Sequence, residues 1–175
     1  EIFKDLVASG ALPGRPGVRR LATEALADGW LLAVCSTSAL SSVQSVLRHV
    51  AGEEIASRFA GVFAGDLVPA KKPAPDIYIL AATKLGVDPA DCVVVEDSRN
   101  GLLAARAAGM ACIITHNELT KHEDFGEAAI VLSSLGDPDG EPATVIQNRS
   151  NARPAGFLSV ADLAMVRASG RKEPV

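Results

Sequence analysis

The sequence has few aromatic residues, no long apolar run and no concentration of positive charge. Phe, Trp and Tyr make up 4% of its 175 residues, with one Trp and one Tyr. No apolar segment approaches the roughly 20 residues that a membrane-spanning helix needs, so we expect no membrane partner. The net charge is -4 and Lys and Arg form no basic stripe. This argues against nucleic acid as a partner.

Cysteine is also scarce. Cys35, Cys92 and Cys112 are odd in number and unevenly spaced, and no C-x-x-C pair occurs. The sequence therefore predicts neither a zinc site nor a disulfide framework. All three fall at strand-like positions, and we interpret them as buried, reduced thiols, which suits a reducing compartment.

The residues that are abundant favour helices packed on a sheet. Hydrophobic residues make up 48% of the chain, which is long enough for one sizeable core. Short apolar runs alternate with amphipathic helical segments, which predicts an α/β fold with a Rossmann-like parallel sheet sandwiched by helices. The predicted strands are 30–35, 59–65, 91–95, 110–115 and 128–132. The predicted helices are 18–27, a segment ending near 50, 77–85, 102–108 and 160–167.

The most informative stretch is Val93–Gly101, in which three valines run directly into two acidic residues. The valines predict a buried parallel strand, so Glu96 and Asp97 lie at its carboxyl end, where open α/β sheets bind ligands. Two adjacent carboxylates repel each other, and a cation such as Mg²⁺ would allow both to stay ionised. The alternative is that Asp97 or Ser98 only caps the following helix.

Two further polar features follow predicted strands. Ser36 and Thr37 come directly after the first strand, where a hydroxyl and free helix N–H groups suit a phosphate oxygen. Helix capping is the alternative for Ser36. Lys72 precedes a proline that favours extended backbone, and a lysine held in that way can neutralise a phosphoryl group and a carboxylate. An ordinary solvated lysine is the alternative, and it is our interpretation of Lys71.

Hydroxyl, lysine and acidic pair at successive strand ends predict a Mg²⁺-assisted phosphoryl-transfer site. Nothing in the sequence beside them is a convincing nucleophile or general base. The first βα turn also lacks a G-x-G-x-x-G pattern, which argues against a dinucleotide-binding domain.

These motifs resemble those of the haloacid dehalogenase-like phosphohydrolases. Val34–Ser38 is similar to the second family motif, Lys72–Asp76 to the third and Val95–Gly101 to the fourth, in the same order and with similar spacing. K-P-x-P-D with E-D-S-x-x-G resembles the β-phosphoglucomutase-like subgroup, which carries a small helical cap. Within it, Ala8–Val18 and Ala33–Ser38 look like the CbbY-like phosphatases of plastids and photosynthetic bacteria.

The resemblance implies a role for each residue. Ser36, with the backbone of Thr37, would hold phosphoryl oxygens. Lys72 would balance the charge of the phosphoryl group, Asp97 would ligate Mg²⁺, and Glu96 would ligate it directly or orient a ligated water. The family's N-terminal D-x-D motif, which supplies the nucleophile and the general acid and base, is absent from this sequence. Ala39 and Leu40 also replace polar residues that the family often carries after the second motif.

The resemblance also implies a division of the chain. Residues 1–14 would be the end of the helical cap and a hinge, 15–135 the core, and 136–175 an irregular tail with a C-terminal helix. Arg15 would contact substrate from the hinge, unless it is an ordinary surface arginine. The chain opens without Met in a helical rhythm, so we expect that it is cut and that functional residues lie upstream.

The expected function is a Mg²⁺-dependent phosphatase of a small sugar phosphate, for which the subgroup implies xylulose-1,5-bisphosphate. The alternatives are a sugar-phosphate mutase and, if no D-x-D motif precedes Glu1, an inactive phosphate-binding module. The implied location is the chloroplast stroma or the bacterial cytoplasm, and a monomer is favoured.

Overall fold

Helices and strands alternate along the chain, as the sequence predicts. The computed structural model describes residues 13–170, so the predicted helix end before Gly10 lies outside the described residues. The helices are α1 (Val18–Ala27), α2 (Leu40–Ala51), α3 (Glu53–Ala56), α4 (Asp76–Leu85), α5 (Arg99–Ala107) and α6 (Val160–Gly170). The strands are β1 (Ala33–Ser36), β2 (Gly61–Ala64), β3 (Val93–Glu96), β4 (Ala111–Thr115), β5 (Ile130–Leu132) and β6 (Val145–Asn148). A 3₁₀ turn, Pro89–Asp91, leads into β3.

The strands form two hydrogen-bonded sheets rather than one continuous sheet. β1 pairs with β2 in parallel, and β3, β4 and β5 form a parallel set in that order. The α/β class with a Rossmann-like core is therefore confirmed. Within the described residues, β1 pairs only with β2, and β3 pairs only with β4. Among residues 13–170, β1 and β3 are therefore edge strands of their sheets, each with a free parallel edge.

The first two strands are shorter than predicted. Trp30 and Leu31 precede β1, and the side chain of Leu31 is 60% exposed. The parallel ladder begins only where Ala33 meets Gly61. As a result, Ser36 and Glu96 are the last residues of their strands, which places both at the carboxyl ends of the sheets.

The prediction that residues 136–156 are irregular is wrong for their central part. β6 pairs antiparallel with β5, with a register shift between Val131 and Leu132. Three of the four residues of β6 are exposed, so the strand has no regular alternation of apolar and polar residues. Backbone pairing to β5 holds it in place, and hydropathy alone gives little signal for such an edge strand.

The partly buried side chain of Arg20 connects α1 to this segment and to the residues on either side of it. The guanidinium of Arg20 donates hydrogen bonds to the carbonyl oxygens of Leu135 (3.3 Å), Gly136 (2.9 Å) and Leu158 (2.9 Å). Asp137 accepts a hydrogen bond from the backbone N–H of Gly17 (2.8 Å). Residues after the predicted core boundary at 135 therefore belong to the same packed unit as α1.

The hydrophobic core lies on both faces of the four-stranded sheet. One cluster packs α4 and α5 against β3 and β4, and includes Leu102 and Ile114. The other packs α1 and α6 against the opposite face, and includes Ile113 and Val166. Among the described residues, no helix combines the length and apolar character that a membrane crossing requires.

Candidate active site

Lys72 joins the ends of the two sheets. Its Nζ donates a hydrogen bond to the carbonyl oxygen of Cys35 in β1 (2.9 Å) and forms a short ion pair with Oε1 of Glu96 at the end of β3. The two side chains are only 12% and 11% exposed. Lys72 is therefore not a solvated surface lysine. Lys71, by contrast, is well exposed and pairs with exposed Asp66.

Tyr78 completes this buried cluster, and sequence reasoning missed it. It lies in the first turn of α4, is 5% exposed, and its Oη donates a hydrogen bond to Oε1 of Glu96 at 2.5 Å. The Nζ of Lys72 lies 4.6 Å from the centre of its ring. Burial, followed by the charge of Glu96, strongly raises the pKa of Tyr78, so that the phenol stays protonated as a donor.

Asp97 lies just beyond β3 and is exposed to solvent. The residue that caps the following helix is Ser98, not Asp97. The hydroxyl of Ser98 accepts a hydrogen bond from the backbone N–H of Gly101 (3.2 Å) at the start of α5. The carboxylate of Asp97 instead accepts a hydrogen bond from Nδ2 of Asn117 (3.2 Å). Asp97 is thus not engaged in capping the helix.

Asn117 is a second residue that sequence reasoning missed. It follows β4, and its Oδ1 accepts hydrogen bonds from the backbone N–H groups of Leu119 (2.8 Å) and Thr120 (3.2 Å). These bonds fix the amide orientation and aim Nδ2 at Asp97. The only signal in the sequence is an Asn at a strand end, which is common in turns of no functional importance.

Ser36 ends β1 directly after Cys35, whose carbonyl oxygen binds Lys72. Its Oγ accepts a hydrogen bond from the backbone N–H of Ser38 (3.1 Å), and Thr37 is exposed. α2 begins after Ala39, and no side chain caps it. Ser36 is therefore not the N-cap of α2, and the start of that helix presents backbone N–H groups close to the predicted phosphate position.

Arg15 lies at a different strand end. Its guanidinium donates hydrogen bonds to the carbonyl oxygens of Thr115 (2.6 Å), His116 (2.7 Å) and Ser133 (3.1 Å), and to Oγ1 of Thr115 (3.0 Å). These bonds link the approach to α1 with the carboxyl ends of β4 and β5. It is thus a structural anchor rather than an ordinary surface arginine, and its contact with substrate stays a prediction.

The described residues fit one part of a Mg²⁺ site. Asp97 offers an exposed carboxylate, the hard oxygen donor that this ion prefers. Oε2 of Glu96 is 3.3 Å from the backbone nitrogen of Asp97. A Cβ at Gly101 would come within 2.1 Å of that oxygen, so any other residue there would displace the carboxylate of Glu96. Within residues 13–170, no cluster of three or more His, Cys, Asp or Glu suited to a metal occurs.

The cysteine nearest the cluster is a poor nucleophile. Burial raises the pKa of Cys35 to about 11, although the positive charge of Lys72 opposes the shift. Burial also raises the pKa values of Cys92 and Cys112. The three thiols are free, and their raised pKa values keep them protonated at neutral pH. Only Cys112 is fully buried, whereas Cys35 and Cys92 are partly buried, so the prediction of buried cysteines holds in full for Cys112 alone.

The chain is similar to known hydrolases over most of its length. Residues 1–109 match the family of haloacid dehalogenase-like hydrolases. A CBBY-like protein of Arabidopsis thaliana is 50% identical over 141 residues, which are 81% of this chain and 44% of that protein. CbbY from Rhodobacter sphaeroides, solved in complex with phosphate, is 42% identical with a TM-score of 0.71, over 75% of this chain and 58% of that one.

A mutant of that bacterial CbbY, solved in complex with xylulose-(1,5)bisphosphate, is 41% identical with a TM-score of 0.68. The match covers 75% of this chain and 60% of that chain. The chain thus spans roughly half the length of the relatives it matches. The three motifs, the buried Lys72–Glu96 pair and the match over residues 1–109 agree: the chain belongs to the haloacid dehalogenase-like hydrolases.

Proposed function

We propose that the native protein is a Mg²⁺-dependent phosphatase that hydrolyses a small sugar phosphate, with xylulose-1,5-bisphosphate as its substrate. The observation that carries the proposal is the position of Lys72, which binds the end of β1 and the end of β3 together. Ser36 is the last residue of β1, and Asp97 is the first residue after β3. The relative solved with xylulose-(1,5)bisphosphate supports the choice of substrate.

Each residue has a role that its surroundings support. Ser36 and the backbone N–H groups before α2 would hold phosphoryl oxygens, with Thr37 beside them. Lys72 would neutralise negative charge on the phosphoryl group at a position where little water screens it. Asp97, with an oxygen of Glu96, would hold Mg²⁺. When bound, the metal supplies a positive charge that polarises a phosphoryl oxygen.

The nucleophile must come from elsewhere. Glu96 is paired with Lys72, and burial keeps the other two potentially nucleophilic residues in contact with Lys72, Tyr78 and Cys35, protonated. We propose an aspartate on a strand that lies between β1 and β3 and forms an aspartyl-phosphate. Among the described residues, β1 and β3 each have an edge without a partner, which supports this arrangement. Val95, the last residue of an apolar run, is 42% exposed, which supports it too.

The test is phosphate release from xylulose-1,5-bisphosphate by the protein expressed from its complete coding sequence. We expect turnover that requires Mg²⁺ and that chelation abolishes. Asp97→Asn should lower kcat/KM by about a thousandfold or more, because a charged ligand becomes a weak neutral one. The fold should survive, since Asp97 is exposed. A folded protein with a D-x-D motif and no turnover would overturn the proposal.

Two other outcomes identify the alternatives. An isomeric sugar phosphate with little free phosphate would identify a mutase. A complete gene without a D-x-D motif, whose product binds inorganic phosphate without turnover, would identify a phosphate-binding module. We also propose that the protein is a monomer. The proposed location is the chloroplast stroma or the bacterial cytoplasm, which the plant and bacterial sources of the relatives support. Light scattering during gel filtration tests the monomer.

A further inference from the structure

The hydroxyl of Tyr78 has one partner. The ring is 5% exposed and packs among buried apolar residues on the inner face of α4. A phenylalanine ring would bury almost the same apolar surface, and a buried hydroxyl costs free energy unless it is hydrogen-bonded. The single tyrosine of the chain donates that bond to Oε1 of Glu96. The hydroxyl therefore serves Glu96 rather than general packing.

The two carboxylate oxygens of Glu96 have different partners. Oε1 accepts from both Tyr78 and Lys72. Oε2 has only a long contact of 3.3 Å with the backbone nitrogen of Asp97, its neighbour in the chain. Two donors on one oxygen fix the carboxylate plane more firmly than Lys72 alone, because an ammonium group is a compact charge without a preferred fork geometry.

Tyr78 also restrains Lys72 directly. The ammonium group lies 4.6 Å from the ring centre, a distance at which the ring quadrupole attracts a cation. The carbonyl oxygen of Cys35 and the carboxylate of Glu96 hold the same group from other directions. One side chain thus contacts both charged members of the candidate site.

We propose that Tyr78 is a positioning residue of the active site. Its hydroxyl holds the carboxylate of Glu96 in the orientation in which Oε1 contacts Lys72. In that orientation Oε2 is the oxygen that would face the cation beside Asp97. The role deepens the proposed function and rests on it. The residue touches neither substrate nor metal, and it acts through Glu96 and Lys72.

The test is a double-mutant cycle of Tyr78→Phe and Glu96→Gln in the protein expressed from its complete coding sequence. Tyr78→Phe removes the hydroxyl and keeps the ring, so packing and the contact with Lys72 are preserved. Two quantities are measured for each variant: the Kd for Mg²⁺ by calorimetry without substrate, and kcat and KM for xylulose-1,5-bisphosphate.

We expect Tyr78→Phe to weaken Mg²⁺ binding by about tenfold and to lower kcat by a similar factor, as loss of the group that orients a metal ligand does. KM should change by less than about twofold, because the residue does not touch substrate. In the Glu96→Gln background, the same change should have little effect on either quantity, since the carboxylate that Tyr78 orients is gone.

Ser134→Ala is the matched control. Ser134 is 3% exposed, and its hydroxyl accepts a hydrogen bond from the backbone N–H of Gly136 (3.2 Å), so this change also removes one buried hydroxyl. It should lower the melting temperature without changing the Kd for Mg²⁺. A Tyr78→Phe protein with Kd and kcat within twofold of the parent would overturn the proposal. Effects of equal size in the Glu96→Gln background, or in Ser134→Ala, would do the same.

The calorimetric half of the cycle does not depend on turnover. If the protein binds Mg²⁺ but hydrolyses no sugar phosphate, the proposed function fails, while the effect of Tyr78→Phe on Kd still decides the role of Tyr78. If turnover is normal and the cycle shows no coupling, the positioning role fails by itself.

Discussion

Strands of similar composition are buried to very different degrees on the two sides of this molecule. Every residue of β4 and β5 is buried, and Ile113, Ile114, Ile130 and Leu132 are 0% exposed. No residue of β1 is fully buried, and in β3 only Val94 is. Both sets are apolar runs, yet only β4 and β5, the two central strands of the four-stranded sheet, have a paired strand on each edge. A strand's burial thus depends on partners that its own sequence does not encode.

The chemistry follows the same division. The predicted site residues Ser36, Glu96 and Asp97 lie at the ends of β1 and β3, which are edge strands among the described residues. The ends of β4 and β5 are closed by Arg15, which donates to their carbonyl oxygens. The packed side therefore provides rigidity, and the open side provides the groups that would meet a phosphate.

The difference in burial between the two sides should appear most strongly when one apolar side chain on each side is truncated to alanine. Ile113→Ala removes a fully buried side chain and should lower the free energy of unfolding by about 4 kcal/mol. Val95→Ala, at a 42% exposed position, should cost less than about 1 kcal/mol. Urea denaturation of the 175-residue chain measures both. Equal losses would mean that Val95 is covered and that the contrast between the two sides does not hold.

Lys72→Met should have the next largest effect, because it breaks the link between the two sheets. Glu96 would keep its charge in a largely buried place without its cation, which we expect to cost about 3 kcal/mol of folding free energy. Lys72→Met combined with Glu96→Gln should recover a good part of that loss, since the stranded charge is removed. Thermal and urea unfolding of the three variants measure the difference. If the double variant is as unstable as Lys72→Met, the stranded charge is not the cause.

The reactivity of Cys35 is the smallest and most local probe. A pKa near 11, compared with 9 for an unperturbed thiol, means about 100-fold less thiolate at pH 8. Alkylation of Cys35, followed by mass spectrometry, should therefore be about 100-fold slower than in the denatured chain. The rate should rise about tenfold per pH unit until about pH 11. A plateau below pH 9 would contradict the raised pKa.

The raised pKa of Cys35 also determines how the stability of the fold changes with pH. The folded pKa of Cys35 is higher than its unfolded value, so the folded state favours the protonated thiol. This contribution is fully present below about pH 9 and is lost as the pH rises towards 11. Cys35→Ser should therefore flatten the decline in stability over that range.

Sequence reasoning predicted the parts of the candidate site that follow from strand ends. Ser36 and Asp97 are recognisable because polar residues end apolar runs in a βα alternation, and Lys72 because it precedes a proline in the loop after a predicted strand. Tyr78 was missed, because a tyrosine on the inner face of an amphipathic helix looks like any core aromatic. Its role depends on the path of the chain from Lys72 into α4, which brings the phenol to Glu96.

The other omissions have physical causes of the same kind. Asn117 reaches Asp97 only because its side-chain oxygen accepts hydrogen bonds from the backbone N–H groups of Leu119 and Thr120, which orient the amide. β6 is held by pairing with β5 rather than by a hydrophobic face. Contacts between residues distant in the chain decide each of these features, and a single sequence does not display them.

The guanidinium of Arg20 bears on where the chain can be shortened. Three carbonyl groups that it binds belong to residues 135, 136 and 158, so the first helix and the last third of the chain hold each other in place. A cut after residue 135 would remove two of these acceptors and the ion pair with Asp137, and leave Arg20 with Leu135 and Glu24 as partners. The segments after residue 135 therefore stabilise the packing of α1, and shortened versions designed for expression should retain them.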